Sequence, residues 1–142
     1  VTVNILTYKA IKNKEITVYG GNQMRPNIHI DDITDLYIFL VNCSKKLSGT
    51  YNAGFENLSV LNIAKLIQKK FPCSIKIIKE TNDPRSYRLN SNKLIKIGFK
   101  PKKNIEIAIE EMADHFKIKK NKNNLNFYTI KKLKKIFSYK NF

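Results

Sequence analysis

The sequence predicts an α/β fold built from short strands and amphipathic helices. The chain has 142 residues, of which 42% are hydrophobic, and this suits one domain with a packed core. Several segments carry apolar side chains at helical spacing. Between them lie short β-branched or aromatic runs that end at glycine or proline. This alternation, without internal repeats, is typical of α/β proteins.

The first third of the chain predicts two helices separated by extended segments. Residues 3–12 carry apolar side chains at helical spacing. Residues 16–19 are β-branched and aromatic and stop at a glycine pair, so we predict a strand there. Residues 28–30 are predicted to form a short extended segment. Asp31 or Asp32 is then expected to cap the second helix, because carboxylates are favoured at helix N-termini.

The middle of the chain predicts strand, helix and strand in succession. Residues 49–54 are predicted as a short strand that ends in a turn, and this strand is expected to need sheet neighbours from outside the chain. Ser59 offers an N-cap for an apolar helix over residues 60–71. Residues 74–78 form the next strand. Two further helices are predicted, a short one from Ser91 to Gly98 and a longer one from Asn104 to about Phe116.

The chain divides into residues 1–118 and a lysine-rich segment, residues 119–142. The second part begins with a polar lysine/asparagine linker and continues with an apolar stripe beside several lysines. We predict an amphipathic helix that docks on the parent domain, with a membrane-surface helix and disorder as the alternatives.

The net charge of +16 is concentrated near the C-terminus. Nine lysines and no acidic residues follow Asp114. Such an excess of positive charge can indicate that the protein binds nucleic acid, a membrane surface or a phosphorylated ligand. The chain is also rich in Asn and Ile, whose codons share the A/T bias of lysine codons. Genome composition is therefore the interpretation that we favour.

The cysteines and histidines give no metal-binding pattern. Cys43 and Cys73 are far apart, neither belongs to a C-x-x-C pair, and the two histidines are His29 and His115. We expect no metal site and reduced thiols in a cytoplasmic protein. No apolar run approaches the ~20 residues of a membrane span, and no secretory signal pattern is visible.

The motifs of dinucleotide chemistry are missing. The five glycines fit neither G-x-G-x-x-G nor a P-loop. The spacing Tyr-x-x-x-Lys, which can serve acid/base catalysis, occurs at Tyr8/Lys12 and at Tyr128/Lys132. In a chain so rich in tyrosine and lysine, chance predicts about as many matches. We therefore expect no catalytic residue in this chain.

Three segments in order resemble the substrate lobe of the extended short-chain dehydrogenases/reductases, the NAD-dependent epimerases and dehydratases of nucleotide sugars. The first, residues 16–33, is ITVYGGNQMRPNIHIDDI. The second, residues 50–64, is TYNAGFENLSVLNIA and is similar to the family's Y-N-x-G strand and Ser-capped helix. The third, residues 83–101, begins with DPRSYR, which is similar to a nucleotide-contacting loop, and ends with the turn GFKP.

The resemblance implies an incomplete Rossmann-type enzyme. The chain would be the C-terminal, substrate-binding lobe, inactive alone, and the N-terminal Rossmann half with the NAD site and the catalytic residues would lie outside it. The complete enzyme would bind a nucleotide-diphosphate sugar and NAD and would form a homodimer. It would oxidise a sugar carbon by hydride transfer to NAD and then epimerise, eliminate water or reduce.

The resemblance also implies site residues. Val18, Tyr19 and Gly20 would border the base or ribose, and Arg25 would contact the diphosphate. A guanidinium suits phosphate because its planar fork donates two parallel hydrogen bonds. A role in stabilising the turn is the alternative for Arg25. Arg85 would also reach the diphosphate, or else pair with a neighbouring acid.

Some residues depart from the family's pattern. Residues 80–82 are Glu-Thr-Asn, where many relatives carry Arg-Pro-Gly, so one arginine contact is lost. Arg85 could replace that contact or form a salt bridge with Glu80. His29 is expected to be a packed strand residue, and the two aspartates at 31 and 32 are expected to be caps rather than catalytic acids.

One alternative comes from a different class of protein. The chain could be a non-enzymatic basic module whose C-terminal tail binds nucleic acid or an acidic partner. Aromatic residues among the lysines of residues 125–142 would suit base stacking. Because the charge is explained well by genome composition, we disfavour nucleic acid, and we expect no membrane partner.

Overall fold

The computed structural model describes residues 2–44, 46–80, 83–118 and 133, with the side chains of residues 117 and 118 left out. Helices and strands alternate through these ranges. In chain order they are α1 (Thr2–Asn13), β1 (Glu15–Tyr19), β2 (Met24–Asn27), α2 (Ile30–Asn42), β3 (Glu56–Ser59), α3 (Val60–Lys70), β4 (Ser74–Ile78), α4 (Asn92–Lys96) and α5 (Ile105–Ile118).

A parallel pair of strands forms the middle of the molecule. β1 pairs with β4 from Glu15 opposite Ser74 to Tyr19 opposite Ile78. Parallel strands need a long crossover, and α3 lies within the connection that returns the chain to β4. Helices α1 and α3 pack against this pair, and α5 packs mainly against α1. We call α1, β1, α3, β4 and α5 the central layer.

Apolar residues from each part of the central layer meet in one core. Buried members include Leu6, Val18, Ile63 and Ile109, and the last two are fully buried. Spacings of three and four residues place the helical members on single faces. Because side chains alternate between the two faces of a strand, Ile16 and Val18 lie on the same face of β1, and both are buried.

A second, antiparallel pair joins two segments that carry few strand-forming residues. β2 pairs with β3 from Met24 opposite Ser59 to Asn27 opposite Glu56. β2 reads Met-Arg-Pro-Asn, which has little intrinsic strand preference. Its pairing depends on tertiary contacts, since Asn27 Nδ2 also donates to the Glu56 carbonyl at 3.2 Å.

A smaller core lies on what we call the α2 side, which comprises α2, residues 50–55, α4 and Phe99. Leu36, Leu94 and Phe99 are its buried members. The partly buried residues around them include Phe39, Tyr51, Ala53 and Phe55. Phe99 stacks on Phe55 with ring centroids 5.6 Å apart.

Most predicted elements are confirmed, and two extended segments are corrected. The strand predicted over residues 49–54 is wrong, because the strand begins at Glu56, and the backbone pairing with β2 reaches back only to Phe55, whose amide donates to the Asn27 carbonyl at 3.0 Å. The extended piece expected over residues 28–30 lies earlier, as β2. The caps by Ser59 and Asn104 are confirmed, at 3.1 Å to the Asn62 amide and 2.9 Å to the Ile107 amide.

The predicted cap of α2 is also wrong. His29 is the N-cap, and its Nδ1 accepts from the Asp31 amide at 3.2 Å. Asp32 is 2% exposed and accepts instead from the backbone amides of Lys102 and Lys103, at 2.8 and 3.1 Å. Its carboxylate thereby ties the start of α2 to the loop before α5.

Several predictions fall outside the described residues. The amphipathic C-terminal helix, the linker and the Tyr128/Lys132 pair all lie there, apart from Leu133, which is exposed. Within the described ranges, no helix is both long and apolar enough to cross a membrane. Cys43 and Cys73 are half-buried free thiols, and burial raises the pKa of Cys73.

Candidate functional site

A cavity of about 340 Å³ lies between α1, β1 and the loop after β4. It brings together several of the residues that the sequence singled out and some that it did not. Its lining consists of Thr2, Ile5, Leu6, Lys9, Thr17, Tyr19, Gln23, Arg25, Val60 and Asp83. This lining combines apolar side chains with two basic groups, an amide and a carboxylate, and such a mixture suits a ligand that has both an apolar and a charged part.

Strand alternation decides which residues of β1 reach this cavity. Thr17 and Tyr19 line it, and Tyr19 is 49% exposed. Val18 points the opposite way into the central core and is 1% exposed. The prediction that Val18 contacts a ligand can therefore hold only for its backbone, and Thr17 takes its place in the cavity wall.

The glycine pair turns the chain from β1 toward the rim. Gly20 and Gly21 have φ values of +70° and +105°, which favour glycine. Gln23 fills the inside of this turn: its Oε1 accepts from the Gly21 amide at 2.6 Å and its Nε2 donates to the Tyr19 carbonyl at 3.0 Å. A Cβ at Gly20 would lie 2.7 Å from Gln23 Nε2.

Arg25 is held at the rim from several directions. Its guanidinium donates to the Met24 carbonyl at 2.9 Å, to the Arg85 carbonyl, and to Asp83 Oδ2 at 3.2 Å. The Tyr87 ring centroid is 5.5 Å from Arg25 Cζ, a cation–π contact. The side chain is only 15% exposed, so its orientation is fixed by the fold.

Arg85 shares the same carboxylate. Its Nε donates to Asp83 Oδ1 at 2.7 Å and its second nitrogen to Oδ2 at 3.0 Å. The partner is thus Asp83 rather than Glu80, the neighbour that the sequence suggested. The Arg85 hydrogen bond, with Arg25 nearby, lowers the pKa of Asp83 to about 2. Two guanidiniums facing one carboxylate leave a net positive rim.

Sequence reasoning missed Gln23 and Asp83 as members of this site. Gln23 Nε2 also lies 3.4 Å from the Asp83 carbonyl, so it connects two walls of the cavity. Asp83 and Arg25 are 58 residues apart, and no spacing rule links them. The signal that could have identified Thr17 was the period-two alternation of β1.

The other residues with catalytic potential have structural contacts. Tyr8 packs edge-on against Phe116, with ring centroids 5.2 Å apart, and does not line the cavity. Burial raises the pKa of Glu56, whose Oε2 accepts from the Ile105 amide at 2.6 Å. Glu56 thereby fixes the start of α5.

A second cavity, of about 620 Å³, lies between the starts of α1 and α2 and one face of α5. His29 and Glu111 line it, and with Asp31 they bring ligand atoms within 4.8 Å of one another, a spacing that a metal ion could bridge. Lys103 Nζ already lies 2.6 Å from Glu111 and 3.6 Å from Asp31. This ammonium offsets one of the two negative charges of the cluster, and the contacts therefore fit a salt-bridge network better than a metal site.

The described strand-to-helix connections do not form a dinucleotide loop. The glycine pair at 20 and 21 links two strands, and β3 passes directly into α3 at Ser59. A pyrophosphate needs backbone amides at a glycine-rich strand-to-helix turn. Among the described residues, no glycine-rich turn of this kind joins a strand to a helix.

No family model matches the chain. An anthocyanidin reductase of Vitis vinifera that forms (2S)-flavan-3-ols is 33% identical over 94 residues, which are 64% of this chain and 27% of the reductase. A probable GDP-L-fucose synthase 1 of Oryza sativa subsp. japonica is 26% identical over 98 residues, or 66% of this chain and 30% of that protein.

Solved structures share the fold. The UDP-N-acetylglucosamine 4-epimerase of Bacillus cereus has a TM-score of 0.70 at 19% identity, covering 86% of this chain and 42% of the epimerase. The UDP-glucuronic acid 4-epimerase of Bacillus cereus, solved with UDP-glucuronic acid and NAD, has a TM-score of 0.68 at 21% identity, covering 82% and 40%.

These comparisons support a relationship to the extended short-chain dehydrogenases/reductases, the group of the NAD-dependent epimerases and dehydratases. The match is partial. The chain spans 27% to 30% of the two curated relatives and about 40% of the two epimerases.

Proposed function

We propose that this chain is the C-terminal, nucleotide-sugar-binding part of an NAD-dependent epimerase or dehydratase. On this proposal residues 1–118 form the substrate lobe, and the NAD site and catalytic groups belong to an N-terminal Rossmann half outside these 142 residues. The complete enzyme is a homodimer that acts on a nucleotide-diphosphate sugar.

The observation that carries the proposal is that Arg25 lines a cavity whose wall includes Tyr19, and that Arg85 shares the carboxylate of Asp83, another lining residue, with Arg25. Arg25 is oriented by two backbone carbonyls and a tyrosine ring before any ligand binds. Preorganisation of this kind lowers the ordering cost of binding. A diphosphate carries the charge and oxygen geometry that two guanidiniums match.

Asp83 holds the two guanidiniums until a ligand arrives. Its carboxylate contacts both arginines at 2.7 to 3.2 Å. A diphosphate at the rim competes with this carboxylate for the same N–H donors. Arg85 is 78% exposed and can swing toward a phosphate with little loss of packing, whereas Arg25 stays fixed.

The cavity beyond the rim suits a base or ribose. Thr17 and Tyr19 supply a hydroxyl and an aromatic face, and Ile5 of α1 supplies an apolar surface opposite them. Gly20, whose φ is +70°, turns the chain directly after Tyr19 and so sets where β1 ends beside the cavity. In this assignment Val18 contributes through its backbone alone.

Replacement of Arg25 tests the assignment most directly. The measurement uses an enzyme in which this chain is joined to an NAD-binding half, and titrates UDP-, ADP- and GDP-sugars by calorimetry. Arg25→Ala removes charge-assisted contacts of roughly 1.5–3 kcal/mol, so binding should weaken about 10- to 150-fold. Arg25→Lys should recover only part of this, because an ammonium lacks the planar fork.

The matched control is Arg88→Ala. Arg88 lies on the same loop but is exposed and does not line the cavity. It should leave sugar-nucleotide affinity within about twofold, as expected for an exposed charge, and NAD affinity should change in neither variant. If Arg25→Ala lowers thermal stability while sugar-nucleotide binding stays normal, Arg25 is a structural residue of the turn and the proposal fails.

A further inference from the structure

Lys9 is a half-buried cation without an acidic partner in the described chain. The half-buried lysines of the described ranges are Lys9, Lys70 and Lys103. Lys70 pairs with two carboxylates of α5, and Lys103 pairs with one carboxylate of α2 and one of α5. Lys9 pairs with no carboxylate among the residues that the structure describes. Because withdrawing a charge from water is unfavourable unless the charge is paired, Lys9 is placed to meet a group that these residues do not supply.

Lys9 points into the 340 Å³ cavity that Arg25 also lines. Four residues of α1 line this cavity at the three- and four-residue spacing of one helix face: Thr2, Ile5, Leu6 and Lys9. Lys12, the next lysine of α1, is exposed and does not line it. The periodicity of α1 therefore directs one lysine at the cavity and leaves the other in solvent.

Within the cavity, Lys9 lies at the end away from Arg25. Lys14 alone separates α1 from β1, and the two elements pack against each other as antiparallel neighbours. Lys9 lies about 6 Å before the end of α1 and Thr17 about 7 Å after the start of β1, so the two are side by side. Arg25 follows the glycine turn at the other end of β1, beyond Tyr19. The ring of Tyr19 thus lies between two cationic ends.

The chemistry of an ammonium limits what it can bind on a nucleobase. An ammonium donates hydrogen bonds and accepts none, so it pairs with a carbonyl oxygen and not with an amino group. Guanine has the carbonyl oxygen O6 and thymine or uracil the carbonyl oxygen O4, where adenine and cytosine have amino groups. When the diphosphate of a nucleotide lies on Arg25, the base is the part that reaches the end of the cavity at Lys9.

We infer that Lys9 selects nucleotides whose base has a carbonyl oxygen, rather than an amino group, at the 6 position of a purine or the 4 position of a pyrimidine. Thr17 supplies a hydroxyl beside it that both donates and accepts. This rests on the proposed function for the orientation of the nucleotide, with its diphosphate at Arg25. It adds the class of base, which the Arg25 assignment leaves open.

The test uses the full chain, residues 1–142, because every residue that lines the cavity belongs to it. Binding of UDP, GDP, ADP and CDP is followed by NMR titration at one low salt concentration. UDP and GDP should bind roughly tenfold more tightly than ADP and CDP, because an amino group facing Lys9 forfeits one charge-assisted hydrogen bond. Equal affinities for the four nucleotides would overturn the inference, and this comparison needs no variant.

Replacement of Lys9 assigns the preference to its ammonium. Lys9→Met keeps an unbranched side chain that favours helix, and should weaken UDP and GDP binding roughly tenfold but ADP and CDP binding by no more than about twofold. Lys12→Met is the matched control, since it removes the same charge from an exposed site and should leave the ratio of UDP to ADP affinity unchanged. Lys9→Arg should retain the preference, because a guanidinium also only donates.

The pattern of losses separates a base contact from a general effect of charge or folding. If Lys9→Met weakens all four nucleotides by the same factor, or if the preference survives in this variant, Lys9 does not select the base and the inference is wrong. Arg25→Ala should weaken all four equally, because the diphosphate is common to them, and should leave the preference intact. Binding without a preference refutes the role of Lys9 alone. If the wild-type chain binds none of the four, the proposed function fails and the role of Lys9 fails with it.

Discussion

The central layer and the α2 side differ in how completely they bury their apolar side chains. In the central layer, α1 and α3 pack against β1, α5 packs against α1, and Ile63 and Ile109 are fully buried. On the α2 side the core is a small cluster around Phe99, and Tyr37, Ile38 and Val41 of α2 are exposed. The difference indicates that the stability of the described chain depends more on side-chain packing in the central layer than on the outer face of α2.

The largest expected effect is a core truncation in the central layer. Ile63→Ala should lower the free energy of unfolding by about 2–5 kcal/mol, because it removes buried methyl groups and leaves a cavity. The same substitution at Ile38, also within a helix but 56% exposed, should change it by no more than about 0.5 kcal/mol. Denaturant unfolding measures both, and equal losses would contradict the contrast between the two regions.

The next effect tests the link between the two regions. Asp32 of α2 accepts from two backbone amides in the loop before α5, at 2.8 and 3.1 Å. Asp32→Asn keeps one acceptor and turns an NH₂ group toward the other amide, so we expect a loss of about 1–3 kcal/mol.

Asp35→Asn is the control for this link. Asp35 pairs with Lys102 at 2.7 Å, but Lys102 is 73% exposed, and exposed pairs contribute about 0–1 kcal/mol. Both variants are compared by thermal unfolding. If Asp35→Asn costs as much as Asp32→Asn, burial is not what gives the Asp32 contacts their strength.

A smaller change, a gain in stability, is expected when a buried hydroxyl group in the central layer is replaced by a methyl group. Thr7 is 0% exposed, and among the described residues its Oγ1 has no hydrogen-bond partner. Thr7→Val should therefore stabilise the chain by about 1 kcal/mol. Thr34 on α2 is exposed and donates to the Ile30 carbonyl at 3.0 Å, so Thr34→Val should be near neutral. A loss of stability in Thr7→Val would show that this hydroxyl is paired in solution.

The sequence predicted the helices and the two parallel strands, because each carries its own periodic signal. It did not predict the pairing of β2 with β3, since Arg25, Pro26 and Asn27 have little strand preference and are held by tertiary contacts. It predicted a strand at residues 49–54 from composition, and the described chain supplies no partner there. Intrinsic preference identifies a strand only where a neighbour is available.

The candidate site was predictable in part. Arg25, Tyr19 and Gly20 came from the resemblance, and the structure gathers them around one cavity wall and its turn. Their role as ligand contacts stays a prediction. The sharing of Asp83 between Arg25 and Arg85 could not be predicted, because contacts across about 60 residues depend on how β2 meets the loop after β4.

The smallest expected effect on stability comes from the carboxylate of Asp83, which lies outside both cores. Pairing with the guanidiniums of Arg85 and Arg25 lowers the pKa of Asp83 from 3.8 to about 2. A depressed carboxyl pKa means that the folded state binds the proton less readily than the unfolded state. The ionised Asp83 carboxylate therefore makes its full contribution to stability above about pH 4, and this contribution is lost as the pH falls through about 2.

A carboxyl NMR titration of the free chain tests this directly. The Asp83 resonance should titrate near pH 2, and Arg85→Ala should move its midpoint toward the ordinary value because the largest cause of the shift is removed. Arg88→Ala should leave the midpoint unchanged. If the Asp83 midpoint is already near 3.8 in the wild-type chain, the two arginines do not share this carboxylate in solution. The rim of the cavity would then be more strongly positive than the structure indicates, and a diphosphate would not have to displace Asp83.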